Sequence, residues 1–139
     1  MTATTQVVEF SLNQEQFCIS LEHVVEIVEA DTESLTTLPD SPRHVEGILD
    51  LRGETTTIIN PKQRLDVGDR TLGNRILVLE ADGETDTRGW IVDSVTQVSE
   101  VENDIVGDPD DAAALEGIVN RDEEILLWVD PDLGLTTGR

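Results

Sequence analysis

The stretch Val45-Glu46-Gly47-Ile48-Leu49-Asp50-Leu51-Arg52-Gly53-Glu54-Thr55-Thr56-Thr57-Ile58-Ile59-Asn60-Pro61 carries the fold in miniature. Gly47–Leu51 and Thr55–Ile59, together rich in β-branched residues, flank Arg52-Gly53, so the segment reads as a hairpin. At its end Asn60 offers a side-chain oxygen that can cap a helix. Pro61 has φ preset for the first helical position, so one helical turn is predicted after the second strand. The pattern returns later in the chain. Residues 115–135 overlie 45–65 without a gap, and six of the 21 positions are identical: Glu46/Glu116, Gly47/Gly117, Ile48/Ile118, Glu54/Glu124, Pro61/Pro131 and Leu65/Leu135. Asp130 matches Asn60 in kind, so Asp130-Pro131 predicts a second turn after a hairpin made of Ile118–Val119, a polar turn and Ile125–Val129.

Outward from the hairpins the likeness continues with small shifts. Val7-Val8-Glu9-Phe10 lies over Ile76-Leu77-Val78-Leu79, and Leu21, Val24 and Ile27 lie over Val92, Val95 and Val98. A period near 70 residues is too long for a solenoid repeat. It describes a duplicated unit, roughly 6–67 and 74–135, within one domain spanning 6–135. Each unit reads as mostly β. Val8, Phe10 and Leu12 alternate with Glu9 and Ser11, and after a polar turn come Phe17, Ile19 and Leu21. Ile76–Leu79 is continuously apolar, as in a strand buried on both faces. Ala81–Arg88 holds the turn signal Asp82-Gly83, and Trp90-Ile91-Val92 follows. Leu21–Val28 differs: its apolar residues at 21, 24, 25 and 28 have the spacing of one or two helical turns. The expected architecture is all-β, with two SH3-like, five-stranded β-barrel subdomains packed side by side. Neither barrel alone buries much surface, so the seam between them is expected to be apolar.

Composition sets limits on function. In 139 residues there are 30 Asp and Glu against nine Lys and Arg, a formal net charge of −21. Such a chain repels nucleic acid and anionic membranes, and it lacks aromatics interleaved to stack on bases. No apolar run approaches the ~20 residues of a membrane span, and MTATTQVVEF has neither a basic nor an apolar leader region. Cys18, the one cysteine, has no internal disulfide partner. A cytoplasmic protein is expected. Lys62 is the only lysine among carboxylates spread evenly along the chain. Uniform acidity of this kind suits molar salt, where the Debye length of ~3 Å screens self-repulsion.

Catalytic chemistry is sparse. His23 and His44 have no HxxxH, HExxH or cysteine partners, and Cys18 has no adjacent cation to activate it. Phosphate loops, GxSxG and GxGxxG are absent. The acidic triplets Asp82/Glu84/Asp86 and Asp108/Asp110/Asp111 lack the twelve-residue calcium-loop pattern. No catalytic residue, cofactor or metal is expected.

At Gly47-Ile48-Leu49-Asp50-Leu51-Arg52-Gly53-Glu54 the sequence resembles the CheW family of prokaryotic chemotaxis coupling proteins, with Asp50 where that family commonly has Asn. Val24-Val25-Glu26-Ile27, Leu38-Pro39-Asp40-Ser41-Pro42, Arg75–Glu80, Gly89–Val98 and Gly117–Leu135 resemble further family segments, in order, over residues 6–135. The resemblance implies a non-catalytic adaptor that joins the histidine kinase CheA, through its CheW-like regulatory domain, to the cytoplasmic tips of chemoreceptors. It further implies a receptor-binding groove at Val24, Glu26, Leu51 and Arg52 from the first unit and Val95 and Val98 from the second. The spacing of the valines fits a core stripe equally well. Two other readings compete: a free-standing CheW-like regulatory module of a kinase system outside chemotaxis, and an acidic nucleic-acid mimic that blocks a basic protein.

Overall fold

The computed structural model describes residues 4–29, 31–40, 45–51, 53–65, 67, 72–79, 87–102, 115–121 and 124–129. Among the described residues ten strands and one α-helical turn follow in chain order, with 3-10 turns at Leu21–His23 and Thr32–Ser34: β1 (Thr4–Leu12), β2 (Glu15–Ser20), β3 (Val24–Glu29), β4 (Val45–Leu51), β5 (Glu54–Ile59), α1 (Pro61–Leu65), β6 (Arg75–Leu79), β7 (Thr87–Val92), β8 (Ser94–Glu102), β9 (Leu115–Arg121) and β10 (Glu124–Val129). They form two five-stranded sheets, ordered β8-β1-β2-β10-β9 and β3-β6-β7-β5-β4. The all-β class with two five-stranded units is therefore what the chain adopts.

Exchanging β1–β5 for β6–β10 converts one sheet order into the other. Neither sheet is made from one half of the chain: each takes the first two strands of one half and the last three of the other. The registers agree as well. Gly47 opposes Ile58 and Leu51 opposes Glu54, while Gly117 opposes Trp128 and Arg121 opposes Glu124. Both hairpins slip at the same place, leaving Glu46 and Glu116 as the extra residue of a β-bulge before the glycine. Only glycine fits the first bulge. Gly47 has φ +150°, and a Cβ there would lie 2.3 Å from the Thr36 carbonyl oxygen, which is held by the Thr36–Ile48 bridge.

The turn after β5 forms as its sequence predicts. Asn60 Oδ1 accepts the Lys62 N–H at 3.1 Å, and Asn60 Nδ2 donates to Glu46 Oε2 at 2.9 Å, tying the cap to the bulge. The second expected turn, at Asp130-Pro131, lies outside the described residues, as do the Asp82-Gly83 loop tip, His44 and both acidic triplets.

Strict alternation within the inner strands sorts side chains into three clusters. Val8, Phe10, Leu12, Phe17 and Ile19 from one sheet meet Ile59, Leu77, Leu79, Trp90 and Val92 from the other in an apolar seam. The opposite faces fill separate cores: Val7, Cys18, Val119, Leu126 and Trp128 in one sheet, Leu49, Ile58, Ile76, Val78 and Ile91 in the other. Inner strands are thus covered on both sides. Glu9 and Ser11, polar positions in the alternating pattern of β1, are consequently buried. Glu9 Oε2 accepts from Ser99 Oγ and, at 3.3 Å, from Gln97 Nε2.

The helical spacing of Leu21–Val28 resolves differently. Only Leu21–His23 forms a 3-10 turn, and Val24–Glu29 is strand. A period of three survives in a strand because Val25 bulges out of the pairing between Val24↔Leu79 and Glu26↔Val78. Thr96 occupies the same place in β8, between Phe10↔Val95 and Glu9↔Gln97. One extra residue returns the third position to the first one's face, so 24 and 27, or 95 and 98, line up as they would on a helix.

Candidate functional site

These two bulges decide how the predicted groove residues are distributed. Cross-strand neighbours share a face. Val24 pairs with Leu79, Val95 with Phe10 and Val98 with Val8, all seam residues, so these valines stand on the seam side of their strands. Val24 and Val95 pack partly buried against the seam cluster. Val98 is 49% exposed, and its counterpart Ile27, paired with seam residue Leu77, is 40% exposed. Each sheet thus ends in an edge strand, β3 or β8, with an open β-branched residue on the seam-facing side.

Glu26 lies on the other face of β3, because the bulge at Val25 separates it from Val24. There it joins Leu51, at the tip of the β4–β5 hairpin, in a groove of about 240 Å³. Val25, Val78 and Leu79 supply more apolar lining, and Glu54, Thr56 and Thr87 complete the walls. Thr87 Oγ1 donates to Glu54 Oε2 at 2.8 Å, which fixes one carboxylate of the lining. Leu51 also leans on the core beneath the groove. The structure therefore brings Glu26 and Leu51 together, sets Val24, Val95 and Val98 on the seam side, and leaves Arg52 outside the described residues. Such a surface offers apolar contact, carboxylate acceptors and open edge strands, which are the means of docking a protein rather than of holding a reacting atom. Among the described residues no group of three or more His, Cys, Asp or Glu is placed to hold a metal ion.

One important constellation is not evident from the motifs. Lys62, only 4% exposed, places Nζ 3.1 Å from Asp93 Oδ1. Asp93 Oδ2 accepts the Asn13 N–H at 2.6 Å, and the Asp93 N–H donates to the Ser11 carbonyl at 3.1 Å. The turn after β5, the β7–β8 corner and the β1–β2 turn are thereby tied at one point across both sheets. The available signal was the singular lysine. The single lysine of the chain, in the helical turn after β5, meets a specific carboxylate.

Comparison with known proteins follows the same lines. A family model described as "CheW-like domain" matches residues 6–137. "Chemotaxis protein CheW" of Treponema pallidum is 30% identical over 138 aligned positions, covering 90% of this chain and 78% of the relative. "Chemotaxis protein CheW" of Rhizobium meliloti is 27% identical over 112 positions, 80% of this chain and 71% of the relative. The crystal structure of the scaffolding protein TtCheW from Thermoanaerobacter tengcongensis superposes with a TM-score of 0.82 at 30% identity, covering 100% of this chain and 97% of that one.

Proposed function

The chain belongs to the CheW family, and we propose that it bridges the CheW-like regulatory domain of the histidine kinase CheA to the cytoplasmic tips of chemoreceptors. Its work is the family's: a non-catalytic scaffold that couples chemoreceptors to the kinase in chemotaxis. The observation that carries this reading is the family match across nearly the whole chain, both sheets included. Among the described residues no helix is long and apolar enough to cross a membrane. Family membership supports work in the cytoplasm, with recruitment to membrane-bound receptor arrays as part of the proposal.

The proposed receptor contacts are Val24, Glu26, Leu51, Arg52, Val95 and Val98, of which Glu26 and Leu51 line one groove and the three valines stand on the seam-facing side. Support comes from the exposure of Val98 on the seam-facing side of β8 and from the pairing of Glu26 with Leu51 in one groove. The duplication of units 6–67 and 74–135 is supported by the interchangeable strand orders and the matching bulges. Replacing Arg52 by alanine tests the groove. Loss of a charge-assisted hydrogen bond is worth about 1.5–3 kcal/mol, roughly ten- to a hundredfold in affinity for a receptor-tip fragment. Titration with that fragment and with the kinase regulatory domain is expected to show loss of the first only, at an unchanged melting temperature. Equal loss of both, or of neither, contradicts the assignment.

Molar salt is the proposed working medium. The net charge of −21 motivates it, because carboxylate self-repulsion destabilises the compact state unless screened. The melting temperature is expected to rise steeply between dilute buffer and ~2 M salt, a range spanning nearly the whole change in screening length. A flat profile in a thermal melt series contradicts it. Under such screening partner choice rests on apolar fit, which salt strengthens.

A further inference from the structure

The bulge at Thr96 sets which way Val98 faces, and the residues of β8 offer a second register without it. As β8 stands, Val95 opposes Phe10, Thr96 is the extra residue, and Gln97, Val98, Ser99 and Glu100 oppose Glu9, Val8, Val7 and Gln6. If the spacing of Phe10↔Val95 simply continued, Thr96 would oppose Glu9, Val98 would oppose Val7 and Glu100 would oppose Thr5. Every residue of β8 beyond the bulge would then turn over, because side chains alternate between faces. Apolar burial does not choose between the two. The unbulged register puts Val98 beside Val7 in the core of Cys18 and Trp128 and turns Val101 out of it, one valine for another. Nor does a second neighbour choose, since among the described residues β8 is an edge strand paired with β1 alone.

Glu9 does choose. It is 2% exposed, on the same face of β1 as Val7 and opposite Cys18. One oxygen, Oε2, accepts from Ser99 Oγ and, at 3.3 Å, from Gln97 Nε2, so the carboxylate grips the residues on either side of Val98. In the unbulged register Thr96 would stand in the place of Gln97 and Val98 in the place of Ser99. The buried carboxylate would exchange two donors for one hydroxyl, and a buried acceptor left short is costly. The other sheet shows what packing alone requires here. Val78 holds the equivalent place on β6, faces an equivalent bulge, and lies in an apolar core against which Val28 packs. A valine therefore fills such a position, and the acid adds discrimination between registers. We propose that Glu9 is a positioning residue that fixes the register of β8 and so holds Val98 on the seam-facing side for the receptor. The register role stands by itself; its consequence for binding rests on the receptor contact proposed for Val98.

Cysteine pairs in the full chain read the register. Gln6→Cys with Glu100→Cys are opposed in the bulged register, and Thr5→Cys with Glu100→Cys in the unbulged one. Each pair is placed in the unsubstituted chain, in Glu9→Val and in Glu9→Gln, oxidised briefly at low protein concentration in ~2 M salt, and counted for free thiols. Cys18 stays in place because it is fully buried. In the unsubstituted chain only the 6/100 pair is expected to close. Glu9→Gln keeps an oxygen able to take both donors and is expected to behave the same. In Glu9→Val the 5/100 pair is expected to close as well. Affinity of Glu9→Val for a receptor-tip fragment, measured without the added cysteines, is expected to fall about two- to tenfold, as when between a half and a tenth of the chains stay competent to bind. A 5/100 pair that stays open in Glu9→Val overturns the inference. So does failure of Glu9→Val to fold, which would make Glu9 a requirement of the fold rather than a choice of register. Equal closure of the 5/100 pair in Glu9→Gln and Glu9→Val overturns it too. Closure in Glu9→Val alone with undiminished receptor affinity upholds the register role and contradicts Val98 as a receptor contact.

Discussion

Replacing Trp90 by alanine is expected to remove about 3–5 kcal/mol of stability, the cost of deleting a large buried aromatic. Trp90 is fully buried in the seam, on β7 of one sheet, and meets Phe10 of the other sheet edge-on with ring centroids 6.1 Å apart. Phe10 in turn stacks on Phe17 at 5.9 Å. The three rings form a continuous aromatic contact from sheet to sheet, so the cavity opens where the two five-stranded units hold each other. At roughly 2–4 °C per kcal/mol the melting temperature falls by on the order of 10–15 °C. Replacement by phenylalanine is expected to behave otherwise. The indole Nε1 is buried with no hydrogen-bond partner among the described residues, a burden of about 1–3 kcal/mol. Phenylalanine loses packing but sheds that donor, leaving a net change within about 1 kcal/mol. Denaturant titration of both variants in high salt checks the pair. Equal, large losses would contradict the view that ring packing, not the indole N–H, holds the seam.

The second large effect is expected at Asp93. Breaking a buried ion pair costs about 3–5 kcal/mol when one partner is left without its counter-charge. Asp93 keeps 29% of its side chain exposed, so solvent softens the loss, and about 3 kcal/mol is expected for Asp93→Ala. Part of that is the acceptor for the Asn13 N–H, in a turn whose backbone has φ +52° and gains from being pinned. Asp93→Asn retains an acceptor but not the charge, and is expected to fall between wild type and alanine. Chemical denaturation of the two variants orders them. An alanine variant within about 0.5 kcal/mol of wild type would mean that the Lys62 contact is incidental.

The sheet pairings show which features a sequence reveals and which it conceals. The β4–β5 hairpin, its capped turn and the doubly buried β6 were legible because turn chemistry and apolar runs are local signals. The repeat was legible because six identities fall at one offset. That offset cannot say which half supplies which strand to which sheet. The exchange depends on the long-range pairing of β1 with β8 and of β3 with β6, and nothing local encodes it. The helical spacing at Leu21–Val28 misled because one bulge residue, Val25, gives a strand the period of a helix turn. The same bulge put Val24 and Glu26 on opposite faces, which no count along the chain would show. Glu9 was hidden for a different reason: alternation signals outward polar residues only when one face of the strand meets water, and β1 is buried on both faces from Val7 to Leu12. Lys62 stood out by rarity alone, and its partner Asp93 lies in a corner without a signature.

An adaptor must hold two other molecules at once. Kinase regulatory domain fixed to beads, a receptor-tip fragment in solution and the purified chain, all in ~2 M salt, measure this directly. The fragment is expected to be retained on the beads only when the chain is added, and to be lost when the chain carries Arg52→Ala while the chain itself stays bound. Retention of the chain without the fragment at any concentration, or of the fragment without the chain, would contradict an adaptor that couples receptor to kinase.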